Sequence, residues 1–419
     1  MTLPGQTTVL IVGAGPSGMA AALALKTQGI NDIVIVDGLL AGENTSRAMV
    51  IQAATLEALD TVGCAEEILT VGRKAEQIGL IEGSSNLISA DFSLLSSYTK
   101  YPFGVVLPQP STEAAMLSKL DQFGIKVWRP FRVASLKPSS GPEDKMVNVH
   151  FESGDIIQAR YVIGADGAHS VIRHEAGIAF KDPNGNEKRD YGNLSQMVFG
   201  DVAFSSPLKL PTPFITIVED PDPTRPVHRF VCGVPKADGD PPHAPTTEYI
   251  QSLIDRCGPH SLSSDPAINP QPTRIEKTYW SSRYRTRCAS ADRFLWNQPN
   301  GGTVLLIGDA AHIHSPIGGQ GMSLGIRDAI SLGRVLKLRL DSATEGAVSE
   351  ELLEEWAAGR RQRALSVIAL TERTMGVITA QTTIWSPLRR LAFAFLRFAS
   401  RFKFFQRLVA YRFSGLDEI

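Results

Sequence analysis

The chain is poor in cysteine. Four thiols, Cys64, Cys232, Cys257 and Cys288, are scattered through 419 residues, and no two form a C-x-x-C pair. That spacing gives no support to a zinc ribbon, a redox pair or a disulfide framework, and it reads as free thiols. A charge excess of one sign is missing too: 42 Lys plus Arg stand against 43 Asp plus Glu. No global basic field therefore invites nucleic acid. There is no run of about 18 uninterrupted apolar residues to suggest a membrane span. The N-terminus has no basic region followed by an apolar signal stretch, so the expectation is a cytoplasmic, reducing location, and the sequons at Asn44 and Asn193 carry little weight. What is present is 43% hydrophobic and 20% charged residues. That suffices for a sizeable core, and the length predicts two or three domains of about 150 residues.

Thr7 to Val12 reads as a short apolar strand. A glycine-rich turn follows, then an alanine- and leucine-rich helix to about Gln28, which Gly29 can terminate. Ile33 to Val36 is a second apolar strand ending in Asp37. Strand, turn, helix and strand begin a doubly wound sheet. A helix is expected from about Gln52 to Leu59. Short alternating segments run from Gly72 to Tyr101, and helical character returns from Thr112 to Phe123. Strand character runs from Lys126 to about Ala165, broken by a turn at 138–142. Between 190 and 235 lie three strand candidates, including Phe214–Val218 and Val227–Val234, before a Pro-, Asp- and Ser-rich stretch with one helix near 246–256. A strand at Thr303–Ile307, behind a hairpin-like turn at Gly301-Gly302, leads into a second glycine-rich turn. The tail after about 350 is helical by periodicity.

Three segments carry chemistry. In Gly13-Ala14-Gly15-Pro16-Ser17-Gly18 the glycines let the backbone turn tightly and approach a pyrophosphate, whose charge helix N-terminal amides attract. Asp37 can accept from a ribose diol and would repel a phosphate on it, which favours FAD or NAD over NADP there. The second segment runs from Tyr161 to Arg173. It delivers Asp166-Gly167 from a strand into a turn, where Ser170 can cap the next helix; a purely structural turn is the alternative. The third runs from Leu306 to Met322. Asp309 ends a buried strand and can accept a sugar hydroxyl, and Gly318, Gly319 and Gly321 bring bare backbone to a flat ligand. His312-x-His314 has no acidic or cysteine partner at ligand spacing, so no metal is expected; a structural His312 and a cleft-facing His314 fit better.

In this order, the three segments resemble the group A flavoprotein monooxygenases, the family of p-hydroxybenzoate hydroxylase, phenol hydroxylase and the rifampicin monooxygenases. The resemblance implies a mixed α/β (α/β plus α+β) fold with a discontinuous FAD-binding domain from 1–75, 103–182 and 273–345. A β-rich substrate domain, 76–102 and 183–272, is inserted, and a helical region, 346–419, follows. It implies that Gly13, Gly15, Ser17, Gly18, Asp37, Arg47, Gln109, Asp166, Gly308, Asp309, Pro316, Gly319, Gly321 and Met322 contact FAD. It also implies that NADPH or NADH acts as transient co-substrate without a second nucleotide domain. The implied reaction is hydroxylation of an electron-rich phenolic aromatic with O2 through a C4a-hydroperoxyflavin. Epoxidation, Baeyer-Villiger insertion or oxidative dearomatisation, and a non-oxygenating flavin dehydrogenase or reductase, are the alternatives.

In such an enzyme the cofactor performs the hard chemistry, and the protein excludes water and places the ring. His314 and Pro316 are catalytic candidates because their loop borders the flavin. His228, Arg229, Tyr279 and Arg283 are candidates on the substrate sheet, with Tyr279 or His228 supporting phenol deprotonation. The partners expected are an aromatic small molecule, O2 and NAD(P)H, in a monomer or homodimer. The stretch from Pro387 to Arg412 is basic and aromatic. It reads as helices covering the cofactor domain with snorkelling arginines, or as a membrane-surface patch.

Overall fold

The computed structural model describes residues 2–41, 48–82, 85–138, 145–185, 194–205, 216–219, 226–298, 302–316, 319–341, 348–379 and 386–418. The chain opens with β1 (Gln6–Val12), α1 (Pro16–Thr27) and β2 (Ile33–Val36). Further on come α2 (Gln109–Gln122), β3 (Val127–Trp128) and β4 (Ile156–Gly164). Then follow β5 (Gln196–Phe204), β6 (Pro226–Gly233), α3 (Thr247–Cys257), β7 (Ile275–Arg285) and β8 (Thr303–Leu306). Four helices complete the chain: α4 (Gly321–Asp341), α5 (Val348–Thr379), α6 (Ser386–Ala399) and α7 (Lys403–Ser414).

The first sheet has a parallel centre in the order β8-β4-β1-β2-β3. Its strands read as near-continuous Val, Ile and Leu because layers cover both faces. On one side α1 is sandwiched between sheet and α4, and Met19 to Leu25 are all buried. Its alanines permit that close approach: a Cβ on Gly333 of α4 would stand 2.7 Å from the Ala24 Cβ. Leu295–Asn297 pairs antiparallel with β8, as a hairpin-like turn before the strand requires, though Gly301 lies outside the described residues.

The second sheet is antiparallel, ordered Thr216–Glu219, β6, β5, β7. Alternation along β5 sends Val198 and Val202 to one face, where they form a core with Ile250, Leu253 and Ile254 of α3. Thr246 caps that helix by accepting from the Tyr249 amide at 3.3 Å.

Two parts of the sequence-based division are drawn differently by strand pairing. β7, placed by sequence with the 273–345 cofactor segment, pairs along its length with β5, so the second sheet continues to Arg285. Its eleven residues, with Tyr, Trp, Ser and Arg among them, lack a clean apolar alternation, which hides the strand. The hairpin Gln77–Glu82/Ser85–Asp91 forms its own two-stranded sheet. It leads into Phe92 and Leu95, which with Ala90 share a core with Ala53, Ala54, Ala410 and Leu416. The C-terminal helices thus pack on this part of the molecule rather than trailing from it. α5 is fixed against α4 by Trp356 Nε1 donating to Ser331 Oγ at 3.0 Å and by Arg360 on Asp328 at 2.6 Å.

Candidate active site

Register brings the three segments together. Val12 lies opposite both Val36 and Gly164, and Gly164 lies opposite Leu306. The turns after β1, β4 and β8, and Asp37 after β2, therefore stand side by side at the carboxyl edge of one parallel sheet. That edge is where open α/β sheets bind ligands.

The glycines there are steric necessities. A Cβ on Gly18 would enter the Gly13 carbonyl oxygen, and one on Gly13 would enter the Ala165 carbonyl. Cβ atoms on Gly308 and Gly325 would both strike Ser17 Oγ, so the Ser17 side chain is lodged between the third segment's turn and α4. Gly15 differs: a Cβ there would meet nothing within 4 Å, and the N-terminus of α1 has no side-chain cap. A bare helix N-terminus with an unobstructed side suits a pyrophosphate.

Asp37 accepts from the Ala14 amide at 2.7 Å and the Leu39 amide at 2.8 Å, which ties the glycine turn to the end of β2. Each carboxylate oxygen keeps a further lone pair for a diol. Arg129, at the end of β3, donates to the Ala14 carbonyl at 3.2 Å and lies 4.0 Å from Asp37. Gln109 is in the first turn of α2, which starts three residues before the expected Thr112, and donates to Glu113 at 2.8 Å. Burial, reinforced by Asp37, holds the Glu113 carboxyl above its usual range against Gln109 and Arg129. Arg129 and Glu113 were missed by sequence; the signal available was that Arg129 follows a strand on the same sheet edge. Arg47 lies outside the described residues, as do Ile317 and Gly318.

Asp166 is engaged within its own turn. It accepts from Ser170 Oγ at 2.5 Å and from the Val171 and Ile172 amides at 2.7 and 3.1 Å, and Ser170 accepts from the Arg173 amide at 2.9 Å. Burial raises the Asp166 pKa against those hydrogen bonds. Arg173, at the end of this segment, is buried and donates to the Ala168 and Ala310 carbonyls at 2.8 and 2.9 Å. It ties the Asp-Gly turn to the Gly-Asp turn. Asp309, one residue before Ala310, is exposed.

His312 is buried and donates from Nε2 to Asp328 at 2.6 Å, and Arg360 grips the other Asp328 oxygen. Burial opposes Asp328 ionisation, but Arg360 and His312 outweigh it and hold the carboxyl below its usual range. His314 is also buried. Its Nδ1 donates to the Ser315 carbonyl at 2.9 Å, while Nε2 has no partner among the described residues. Burial drives its pKa down to about 4, so the ring is neutral at pH 7 and Nε2 presents a lone pair. That edge lies 3.9 Å from where Gly321 would carry a Cβ. Pro316 and Gly319 flank the two undescribed residues, and Gly321 and Met322 open α4.

The second sheet turns its other face toward this loop. Tyr284 donates to the His314 carbonyl at 3.3 Å and packs on Phe199, with ring centroids 5.5 Å apart. On the same face Arg229 makes a two-pronged pair with Asp201, both contacts 2.6 Å, beside the Trp280 ring. The sequence candidates divide. Arg229 is on this face. His228, opposite Val202, and Arg283, opposite Val198, are on the α3 face. Arg283 donates to the Pro241 carbonyl at 3.0 Å, and burial lowers the His228 pKa, assisted by Arg73. Tyr279 is a bulge: Asp201 pairs with Trp280 and Val202 with Thr278, leaving Tyr279 38% exposed beneath Lys277. Asp201, Trp280, Tyr284 and Phe199 were missed, since only register reveals their common face.

The site fits FAD by its donors and acceptors: amide donors at an uncapped helix N-terminus at Gly15, accepting carboxylates at two strand ends, and a neutral histidine acceptor beside glycine backbone. A fold and edge of this kind define a flavin-type nucleotide-binding protein. The family model described as "FAD binding domain" matches residues 6–371, and the chain belongs to that family. It is 27% identical over 416 residues to an uncharacterized aromatic compound monooxygenase of Bacillus subtilis, covering 97% of this chain and 75% of that protein. It is 28% identical over 397 residues to the 12-dehydrotetracycline 5-monooxygenase/anhydrotetracycline 6-monooxygenase of Streptomyces rimosus, covering 91% of this chain and 72% of that one. The fold is shared with p-nitrophenol 4-monooxygenase from Pseudomonas putida, with a TM-score of 0.78, 99% of each chain covered and 21% identity.

Proposed function

We propose that this chain is an FAD-dependent monooxygenase that uses NADPH or NADH and O2 to hydroxylate an uncharged, electron-rich phenolic aromatic. The observation that carries the reading is the pairing of one sheet edge, where Val12, Gly164 and Leu306 align, with a second sheet whose Tyr284 reaches the His314 loop. Bound FAD, once reduced by the nicotinamide, supplies the activated oxygen.

The residues divide the remaining work. Gly13, Gly15 and Gly18 bring backbone to the pyrophosphate, and Asp37 and Asp309 accept from sugar hydroxyls. Gln109 sits by the flavin chain, and Pro316, Gly319, Gly321 and Met322 border the ring. Asp166 holds the turn between them. His314 Nε2 accepts the hydrogen bond of the phenol and supports its phenolate character. Trp280, Phe199 and Tyr284 pack on the substrate ring and exclude water. Because Asp201 already neutralises Arg229, and His314 is neutral, neither of these residues offers a free charge to a substrate beside the His314 loop. A carboxylated substrate placed beside Arg229 and His314 would lose hydration with no free cation from either in return.

The test is coupled nicotinamide oxidation over a panel of phenols, phenol carboxylates and polycyclic phenols, with product mass measured. One added oxygen atom, on neutral members, is expected. Hydrogen peroxide alone across the panel would defeat the reading.

A further inference from the structure

The C-terminal helices are apolar on two sides. Inward, Phe393 and Ala410 are buried, and Ala410 and Leu416 join the core with Phe92 and Leu95. Outward, Leu391, Phe395 and Phe398 recur at spacings of four and three along α6, at 68%, 67% and 57% exposure, and Phe402 continues the stripe. Phe398 and Phe402 stack edge to face with centroids 5.1 Å apart. On α7, Phe404 and Leu408 are exposed one turn apart. Large apolar side chains grouped this way on a surface mark an interaction site.

Charge identifies what it meets. Residues 386–414 contain seven Lys or Arg and no Asp or Glu, in a chain whose net charge is −1. Arg401, Lys403 and Arg407 are exposed beside the phenylalanines, and the Arg407 guanidinium lies 5.9 Å from the Phe404 ring centroid. Among the described residues no helix is long and apolar enough to cross a membrane. We propose that the exposed faces of α6 and α7 dock this protein on an anionic lipid bilayer, with the phenylalanines in the headgroup boundary and the cations on lipid phosphates and carboxylates. Phenylalanine rimmed by Arg and Lys is the composition of helices that lie in a bilayer interface. A second copy is disfavoured, because a two-fold interface sets the same patch against itself and would oppose like charges.

The test is flotation of the FAD-loaded full chain with vesicles of phosphatidylcholine alone or mixed with phosphatidylserine. About tenfold more protein should float with the anionic vesicles, and raised salt should release most of it. Combined Arg401→Glu, Lys403→Glu and Arg407→Glu should abolish the preference. Combined Phe395→Ser and Phe398→Ser should remove the salt-resistant remainder. Both variants should keep their flavin and their nicotinamide oxidation rate in solution. If the serine variant loses flavin, the salt response and the charge variant still decide. Equal recovery with both vesicle types overturns the proposal. So does self-association in sedimentation velocity that the serine substitutions abolish, or binding to polyglutamate without binding to vesicles.

Discussion

At the carboxyl edge of the parallel sheet the shape is made by backbone; on the facing sheet it is made by paired side chains. At Gly13, Gly18, Gly308 and Gly325 any Cβ would collide with backbone or with Ser17. Opposite them, Arg229 and Asp201 are held by each other and Tyr284 is held to the His314 carbonyl. A backbone-built edge fails by collision and has few ways to relax. A wall of side-chain pairs fails by leaving one partner unmatched, and it can be retuned by changing one residue.

The largest effect should separate the two regions outright. Gly18→Val drives carbon into the Gly13 carbonyl, which cannot move aside, and should cost at least about 3 kcal/mol. Flavin co-eluting with that variant on gel filtration at the normal ratio would break the distinction. Asp201→Asn leaves the fully buried Arg229 side chain facing a neutral amide. The expected loss is about 2–4 kcal/mol by urea unfolding, with flavin still bound and phenol carboxylates newly bound. No gain in carboxylate binding would argue that the ion pair does not set substrate charge.

His314 joins the two regions, and pH probes it. Its pKa falls from 6.5 in the unfolded chain to about 4 in the fold. The unfolded chain then binds the extra proton between those values, so stability is full above 6.5 and drains as pH falls toward 4. The loss should reach about 3 kcal/mol. In His314→Asn that part of the slope should vanish when unfolding is followed from pH 7.5 to 4; parallel curves would remove His314 from its buried, neutral role. The smallest effect is expected at exposed Asp309. Asp309→Ala should raise the FAD dissociation constant about tenfold with the apoprotein melting temperature unchanged. Unaltered flavin affinity would remove Asp309 from the sugar contacts.

The first region was legible in sequence because its requirements are local. Short apolar strands followed by glycine turns mark β1, β4 and β8, an acid follows β2, β4 and β8, and Ser170 caps its helix as its position predicts. The fold class and the FAD-binding family follow from those segments. The strand at β7 was not legible, since aromatic, serine and arginine residues mix along it. Neither were Arg129 and Glu113, whose neighbours lie on other elements. The tail shows both halves of the lesson: composition disclosed a basic, aromatic helix, but only packing showed that Phe393 faces inward while Phe395 and Phe398 face out.

Sequence alone thus determined where glycine must stand and which strands end in acids, because a turn's backbone demand is satisfied or refused within a few residues. Tertiary structure decided which side chains share a face. In a sheet that depends on register, and one extra residue changes it: the bulge at Tyr279 sets Trp280, Ser282 and Tyr284 toward the His314 loop and Arg283 toward α3.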